Sequence, residues 1–150
     1  MNEKLFVPPD FDVPSILETD KFRLRMLSVD DVEKDYEAVI ESRDLLRARG
    51  GAWPRDGFTL EENLTDLQQH RQEFLERKAF AYTVVALDES RVLGCVYINP
   101  ARKTDADAEV RMWVRQGEYE QGLDPVLFQT VKDWIASAWS FETVAYPGRE

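Results

Sequence analysis

The residues best suited to chemistry lie on one short segment. Residues 109–114 alternate strictly, so Val110, Met112 and Val114 face one way while Glu109, Arg111 and Trp113 face the other. Charges beside a large aromatic are what the wall of a cleft carries. A carboxylate there can take a proton from a substrate, or it can simply pair with a neighbouring guanidinium, here that of Arg111. Tyr82 and Tyr97 stand on two apolar runs upstream, and with Arg111 and Trp113 they make up the candidate substrate pocket. Each aromatic would serve equally well as core. The one histidine, His70, falls on the flank of a helical pattern, where a solvated role is expected, and the one cysteine, Cys95, lies inside an apolar run. Two such residues far apart in sequence give little basis for a metal site, and none is expected. A single cysteine also excludes an internal disulfide and suits a reducing compartment, the cytoplasm.

The elements that must position these groups follow from periodicity and turn chemistry. Residues 1–17 read as an N-terminal arm, because Pro8, Pro9 and Pro14 exclude regular helix, and the domain proper is expected over 18–150. Residues 22–26 alternate as a half-buried strand. Ser28 then starts a helix with Val32, Tyr36, Val39 and Ile40 on one face. Thr59 and Glu62 form a capping box for a second helix whose stripe is Leu60, Leu64, Leu67, Phe74 and Leu75. Residues 79–87 and 92–98 are nearly all apolar, so they read as two buried strands of a central hairpin. Gly94 within the second marks a bulge or a close backbone approach. Residues 115–123 are turn-rich, and Asp124 is the expected N-cap of a third helix with Pro125 at its first position. Its stripe is Leu127, Val131, Trp134, Ile135 and Ala138, and residues 141–146 form a last strand. The order β-α-α-β-β-β-α-β predicts an α/β (α+β) domain with a central, mostly antiparallel sheet flanked by helices.

Composition limits the function classes. With 29 acidic against 19 basic residues the formal net charge is −10, the wrong sign for a domain that grips nucleic-acid phosphates or an anionic lipid surface. Hydrophobic residues at 43% and charged residues at 32% describe a globular chain, and no apolar run is long enough to span a membrane. A small-molecule or amine substrate is the expected partner.

The order of elements resembles the core of the GNAT superfamily of N-acetyltransferases. Glu18-Thr19-Asp20-Lys21-Phe22-Arg23-Leu24-Arg25 resembles its first strand, Val92-Leu93-Gly94-Cys95-Val96 its third, and Ala108-Glu109-Val110-Arg111-Met112-Trp113-Val114 its fourth. The resemblance implies acetyl transfer from acetyl-CoA to an amine, with Glu109 as candidate base. It places acetyl-CoA along Val114, Tyr119, Gly122, Leu123 and Asp124. The family's loop, Gln/Arg-Xaa-Xaa-Gly-Xaa-Gly/Ala, holds pyrophosphate on backbone N–H groups at a helix N-terminus. Here it reads Tyr119-Glu120-Gln121-Gly122-Leu123-Asp124, in which only Gly122 matches. Residues 115–124 hold three acids, Glu118, Glu120 and Asp124, against the one base Arg115. A capping Asp124 would compete for the donors and Pro125 removes one, so little acetyl-CoA binding is expected. The alternative is a catalytically inactive GNAT-like module for a ligand or a protein partner. Family members also continue past the last strand seen here into a region that often carries a catalytic tyrosine, and Tyr146 stands too early for it. A fold shortened at the C-terminus would expose the edge of its last strand, so a homodimer contact or coverage by the arm is expected there.

Overall fold

Burial on both faces explains the two apolar runs at the centre of the chain. The computed structural model describes residues 5–48, 52–102 and 105–149. Its six strands are β1 (Ile16–Glu18), β2 (Arg23–Met26), β3 (Phe80–Val85), β4 (Val92–Pro100), β5 (Ala108–Val114) and β6 (Val144–Ala145), in the spatial order β1-β2-β3-β4-β5-β6. All neighbours are antiparallel except β5 and β6, which run parallel. The expected central hairpin and mostly antiparallel sheet are therefore present. The helices are α1 (Val32–Glu41), α2 (Arg43–Arg47), α3 (Leu60–Leu75), α4 (Gln116–Glu120) and α5 (Leu123–Ala138). No helix of the described residues is long and apolar enough to cross a membrane.

Every residue of β3 is buried because helices cover both sides of it. Phe80, Tyr82 and Val84 pack with Leu127, Val131, Trp134 and Ile135 of α5, whereas Ala81 and Val85 pack with Val39 of α1 and Leu67 of α3. The α5 stripe is thus the one the sequence predicts except for Ala138, which is exposed. The α3 stripe is rotated from expectation. Leu60 and Leu75 are exposed, while Asn63 and Leu67 are buried, because Asn63 finds a partner inside the layer and so tolerates burial. Thr59 caps α3 as expected, accepting from the Glu62 N–H at 3.1 Å.

Gly94 serves both of its expected purposes. Val84 pairs with Gly94 but Val85 with Val92, so Leu93 is the extra residue of a bulge. A Cβ on Gly94 would overlap the Trp113 carbonyl oxygen and lie 3.0 Å from Val114 Cα. Those obstacles are backbone of the adjacent strand and cannot swing aside. Gly94→Ala should therefore destabilise by about 1–3 kcal/mol in urea unfolding through overpacking alone; an unchanged midpoint would contradict the close approach.

The N-terminal segment is woven into the same sheet and core. Ile16 and Leu17 belong to β1, which pairs with β2, and Val7 is buried. Arg77 donates to the carbonyls of Pro8 (2.7 Å) and Phe11 (2.9 Å), and the Tyr82 hydroxyl donates to that of Pro14. α4 also lies where turns were expected. Its Gln116 N–H donates to Ser42 Oγ and its Gly117 N–H to Glu41 Oε2, so α1 supplies a cap that no local sequence signal announces. Arg115, 4% exposed, fastens the same junction through Glu41 at 2.7 Å and Glu37 at 2.9 Å.

Candidate functional site

Strand register decides which side chains share a wall. Trp113 stands opposite Cys95, Arg111 opposite Tyr97 and Glu109 opposite Asn99, and these six line one side of a continuous cleft of ≈ 1340 Å³. The indole of Trp113 donates to the Tyr97 hydroxyl at 3.0 Å. α3 lays His70 on this wall, its ring 5.4 Å from that of Tyr97. Burial pulls the His70 imidazole below its ordinary value, so it is neutral above neutral pH rather than the solvated group expected from the sequence.

Two carboxylates of this cleft are shifted in opposite directions. Glu109 Oε1 accepts the Arg102 N–H at 3.0 Å, and Arg111 Nη2 lies 3.5 Å from Oε2. The Arg102 N–H, followed by the charges of Arg111 and Arg102, holds Glu109 below the usual carboxylate range against a burial penalty. It is ionised and weakly basic. Asp35 of α1 is 5% exposed and accepts a hydrogen bond from Asn63 Nδ2 at 2.9 Å. Burial, reinforced by Asp31 and Asp66 and opposed by Asn63, pushes its carboxyl up to about 6.

Tyr82 is placed differently from expectation. It lies on the opposite face of the sheet, fully buried against Trp134 and Phe74, and its hydroxyl is spent on Pro14. The reason is parity: Tyr82 pairs with Val96, and Tyr97 with Ala81, so the two tyrosines point to opposite sides.

The far end of the cleft is the gap between β5 and β6. Pairing covers only Ala108 with Val144 and Glu109 with Ala145, after which the strands part beside the head of α5. Gly122 is the N-cap of α5, at φ 86°, which corrects the expected start at Asp124. Asp124 is the second residue of the helix and Pro125 the third, so Asp124 is not the N-cap. Its carboxylate instead takes both arms of Arg149, each at 2.8 Å, and Arg149 also donates to the Met112 carbonyl at 3.2 Å. A strong ion pair with Arg149, in the segment after β6, thus holds the carboxylate expected to cap the helix. Tyr119 stands exposed on the rim, Leu123 is half-buried against the core, and the Val114 side chain is core, leaving only its backbone to the gap.

This end suits the diphosphate of a CoA thioester. A Cβ on Gly122 would meet nothing within 4 Å, so an anion can approach the N-terminus of a 16-residue helix. The local excess of acid is offset from elsewhere in the chain, because Glu118 pairs with Arg91 at 2.8 Å and Asp124 with Arg149. Against it stand Pro125, which has no N–H, and the Gly122 N–H, committed to the Tyr119 carbonyl at 3.1 Å. Gly122, Leu123 and the Arg149 guanidinium are the groups that would hold it. Among the described residues no group of His, Cys, Asp and Glu is arranged to hold a metal ion.

Nothing in the sequence gives Asp35, Asn63 or Arg149 a site role, and His70 reads there as a solvated residue. For two of them a signal existed: Asp35 falls three residues after Val32 and four before Val39, and Asn63 four before Leu67, so each is a polar group within a buried stripe. Arg149 offered no such signal.

Solved structures with the same architecture are acetyltransferases. A ribosomal-protein-S5-alanine acetyltransferase from Vibrio fischeri superposes with a TM-score of 0.66 at 18% identity, covering 83% of this chain and 67% of its own. RimL, a ribosomal L7/L12 α-N-protein acetyltransferase in complex with coenzyme A, gives 0.66 at 18%, covering 81% and 67%. The microcin C7 self-immunity acetyltransferase MccE, in complex with acetyl-CoA and AMP, gives 0.62 at 16%, covering 85% and 71%. Neither family models nor curated proteins match the sequence. The chain has the GNAT acyl-CoA N-acyltransferase fold, and it spans about two thirds of the length of these structures.

Proposed function

We propose that the protein is a GNAT-like N-acetyltransferase that transfers an acetyl group from acetyl-CoA to an amine. The observation that carries the reading is the parting of β5 and β6 beside the open Gly122 turn, leading without a break into a cleft walled by Glu109, Arg111, Tyr97 and Trp113. Neighbours of the same fold bind CoA or acetyl-CoA, which supports the co-substrate. When bound, acetyl-CoA supplies an activated acyl group. Gly122, Leu123 and Arg149 orient its diphosphate end, and the edge of β5 past its pairing with β6 lies beside the reacting end. Glu109 is the candidate base, ionised at any physiological pH, while Arg111 and Trp113 border the acceptor. The protein–amine mixture is tested by following release of free coenzyme thiol. Acetyl-CoA consumption that depends on an added amine supports the reading, and none across a broad amine panel opposes it.

Glu109→Gln should lower turnover on the order of a hundredfold, within the usual span for a general base, while leaving acetyl-CoA affinity nearly unchanged. Equal turnover in the variant would remove Glu109 from the chemistry and leave it as a clamp on the Arg102 N–H.

A second reading is favoured by one observation. Arg149 occupies both Asp124 and the Met112 carbonyl, so the gap is bridged by the protein itself. In that case the fold serves as a non-catalytic ligand or protein-interaction module. For either reading a cytoplasmic setting agrees with the buried free thiol of Cys95. The outer edge of β6, unpaired among the described residues, is where a homodimer would form, and light scattering tests it.

A further inference from the structure

The cleft has two ends of opposite chemistry, and only the α5 end is accounted for by the co-substrate. At the other end, between α1 and α3, Asp35 lines the cavity at 5% exposure with Asp66, His70 and Glu73 beside it. Its hydrogen-bond partner among the described residues is a neutral amide, Asn63 Nδ2 on Oδ2 at 2.9 Å. An ionised carboxylate has about four acceptor positions to satisfy, and Oδ1 receives no donor among the described residues. Nor does any lysine or arginine of the described residues pair with it. Arg25, the partner of the neighbouring Asp31, is committed to Asp31 at 2.7 and 2.9 Å and to Glu89. The groups facing Asp35 from other elements are Asn63 and Asp66 of α3, Asp31 before α1, and Cys95 and Tyr97 of β4. None is a cation. The adjoining wall is aromatic: Tyr97, Trp113 and His70 are joined by the 3.0 Å indole–hydroxyl bond and the 5.4 Å ring contact.

We propose that the α1/α3 end of the cleft binds a primary ammonium group, with Asp35 as its carboxylate partner and Tyr97, Trp113 and His70 as the wall for its apolar stem. A buried carboxylate lacking a cation is satisfied by a ligand that brings one, and π faces beside it favour an ammonium on an apolar or aromatic group. The proposal names the acceptor end of the acetyl-transfer reading and rests on that reading for its role, although the binding step itself needs no acetyl-CoA.

Calorimetry on the full chain at pH 8, with 2-phenylethylamine against the isosteric 2-phenylethanol, tests it. The amine should bind at least about tenfold more tightly, as a charge-assisted contact requires. Asp35→Asn should erase that preference. The preference should also shrink as the pH falls from 7 to 5 and Asp35 takes up a proton, and the shrinkage should persist in His70→Gln, which removes the other group of this wall that titrates there. A short peptide with a free α-amine, compared with its N-acetylated form, distinguishes a peptide terminus from a free small amine as the source of the ammonium. Binding by either source supports the site. Equal affinity for amine and alcohol, or a preference that survives in Asp35→Asn, overturns it. If amines bind but no acetyl transfer occurs, the enzyme reading fails and the site stands. If Asp35→Asn transfers acetyl groups to the same amines with unchanged KM, the site fails and the enzyme reading stands.

Discussion

Asp35→Asn should make the protein more stable at pH 8, by up to about 3 kcal/mol, and should give no gain near pH 4. The carboxyl is raised from an ordinary 3.8 to about 6, and at about 1.36 kcal/mol per pH unit that rise corresponds to the quoted figure. The sign follows from proton binding. Between pH 3.8 and about 6 the folded protein holds a proton on Asp35 that the unfolded chain has released. Stability therefore falls as pH rises through that window, and the cost is complete above it. Asparagine keeps an acceptor for the Asn63 amide and has no charge to desolvate. Glu41 and Glu109, whose carboxyls are lowered by Arg115 and by the Arg102 N–H, act in the opposite direction, gaining stability as pH rises through their own range. The test is accordingly the difference between variant and wild type in urea unfolding at pH 4, 6 and 8, not the wild-type profile alone. A variant that is equally stable or weaker at pH 8 would show that the buried carboxylate is satisfied in the folded protein. A gain in stability with loss of amine preference would identify a strained group retained for binding.

Arg149→Ala should weaken acetyl-CoA binding by about one to two powers of ten, the loss of one charge-assisted contact of roughly 1.5–3 kcal/mol. Without Arg149 the Asp124 carboxylate at the head of α5 loses that cation, and its charge repels a diphosphate. Asp124→Asn should do the reverse, freeing the guanidinium for the phosphate and tightening binding. The double variant should fall between the two, with a coupling that reports on the pair itself. Affinity of the wild type should decline as salt is raised, since the contact is ionic. If Arg149→Ala instead tightens binding, the Asp124–Arg149 pair is a plug, and the reading as a non-catalytic module gains. The direction of the change separates the two functional readings without any activity measurement.

Much of the frame was legible because local rules carry it. The period-2 pattern of residues 109–114 assigned the two faces of β5, and the Thr59–Glu62 box marked the start of α3. Two unbroken apolar runs announced the covered hairpin, and Gly94 flagged its bulge. Helical period alone placed Leu127, Val131, Trp134 and Ile135 against the sheet. Each of these signals depends on residues within about two turns or one strand of each other.

What only the tertiary structure decided depends on residues far apart in the chain. Asp124 has the side chain of an N-cap, and nothing within 124 and its neighbours reveals that Arg149 claims its carboxylate, so the acidity of the loop was overcounted and the helix start misplaced. Tyr82 and Tyr97 look alike on the central hairpin, yet pairing sends one into the α5 core and the other into the cleft. Asp35 reads as one more acid on a helix until α3 and β4 close over it and remove the water that would hold its charge. The sequence by itself determined the elements and their buried faces, since those follow from periodicity and turn chemistry along the chain. The charge state and partners of the site groups were set by packing, because desolvation and Coulomb interactions depend on distance in space and not on separation in sequence.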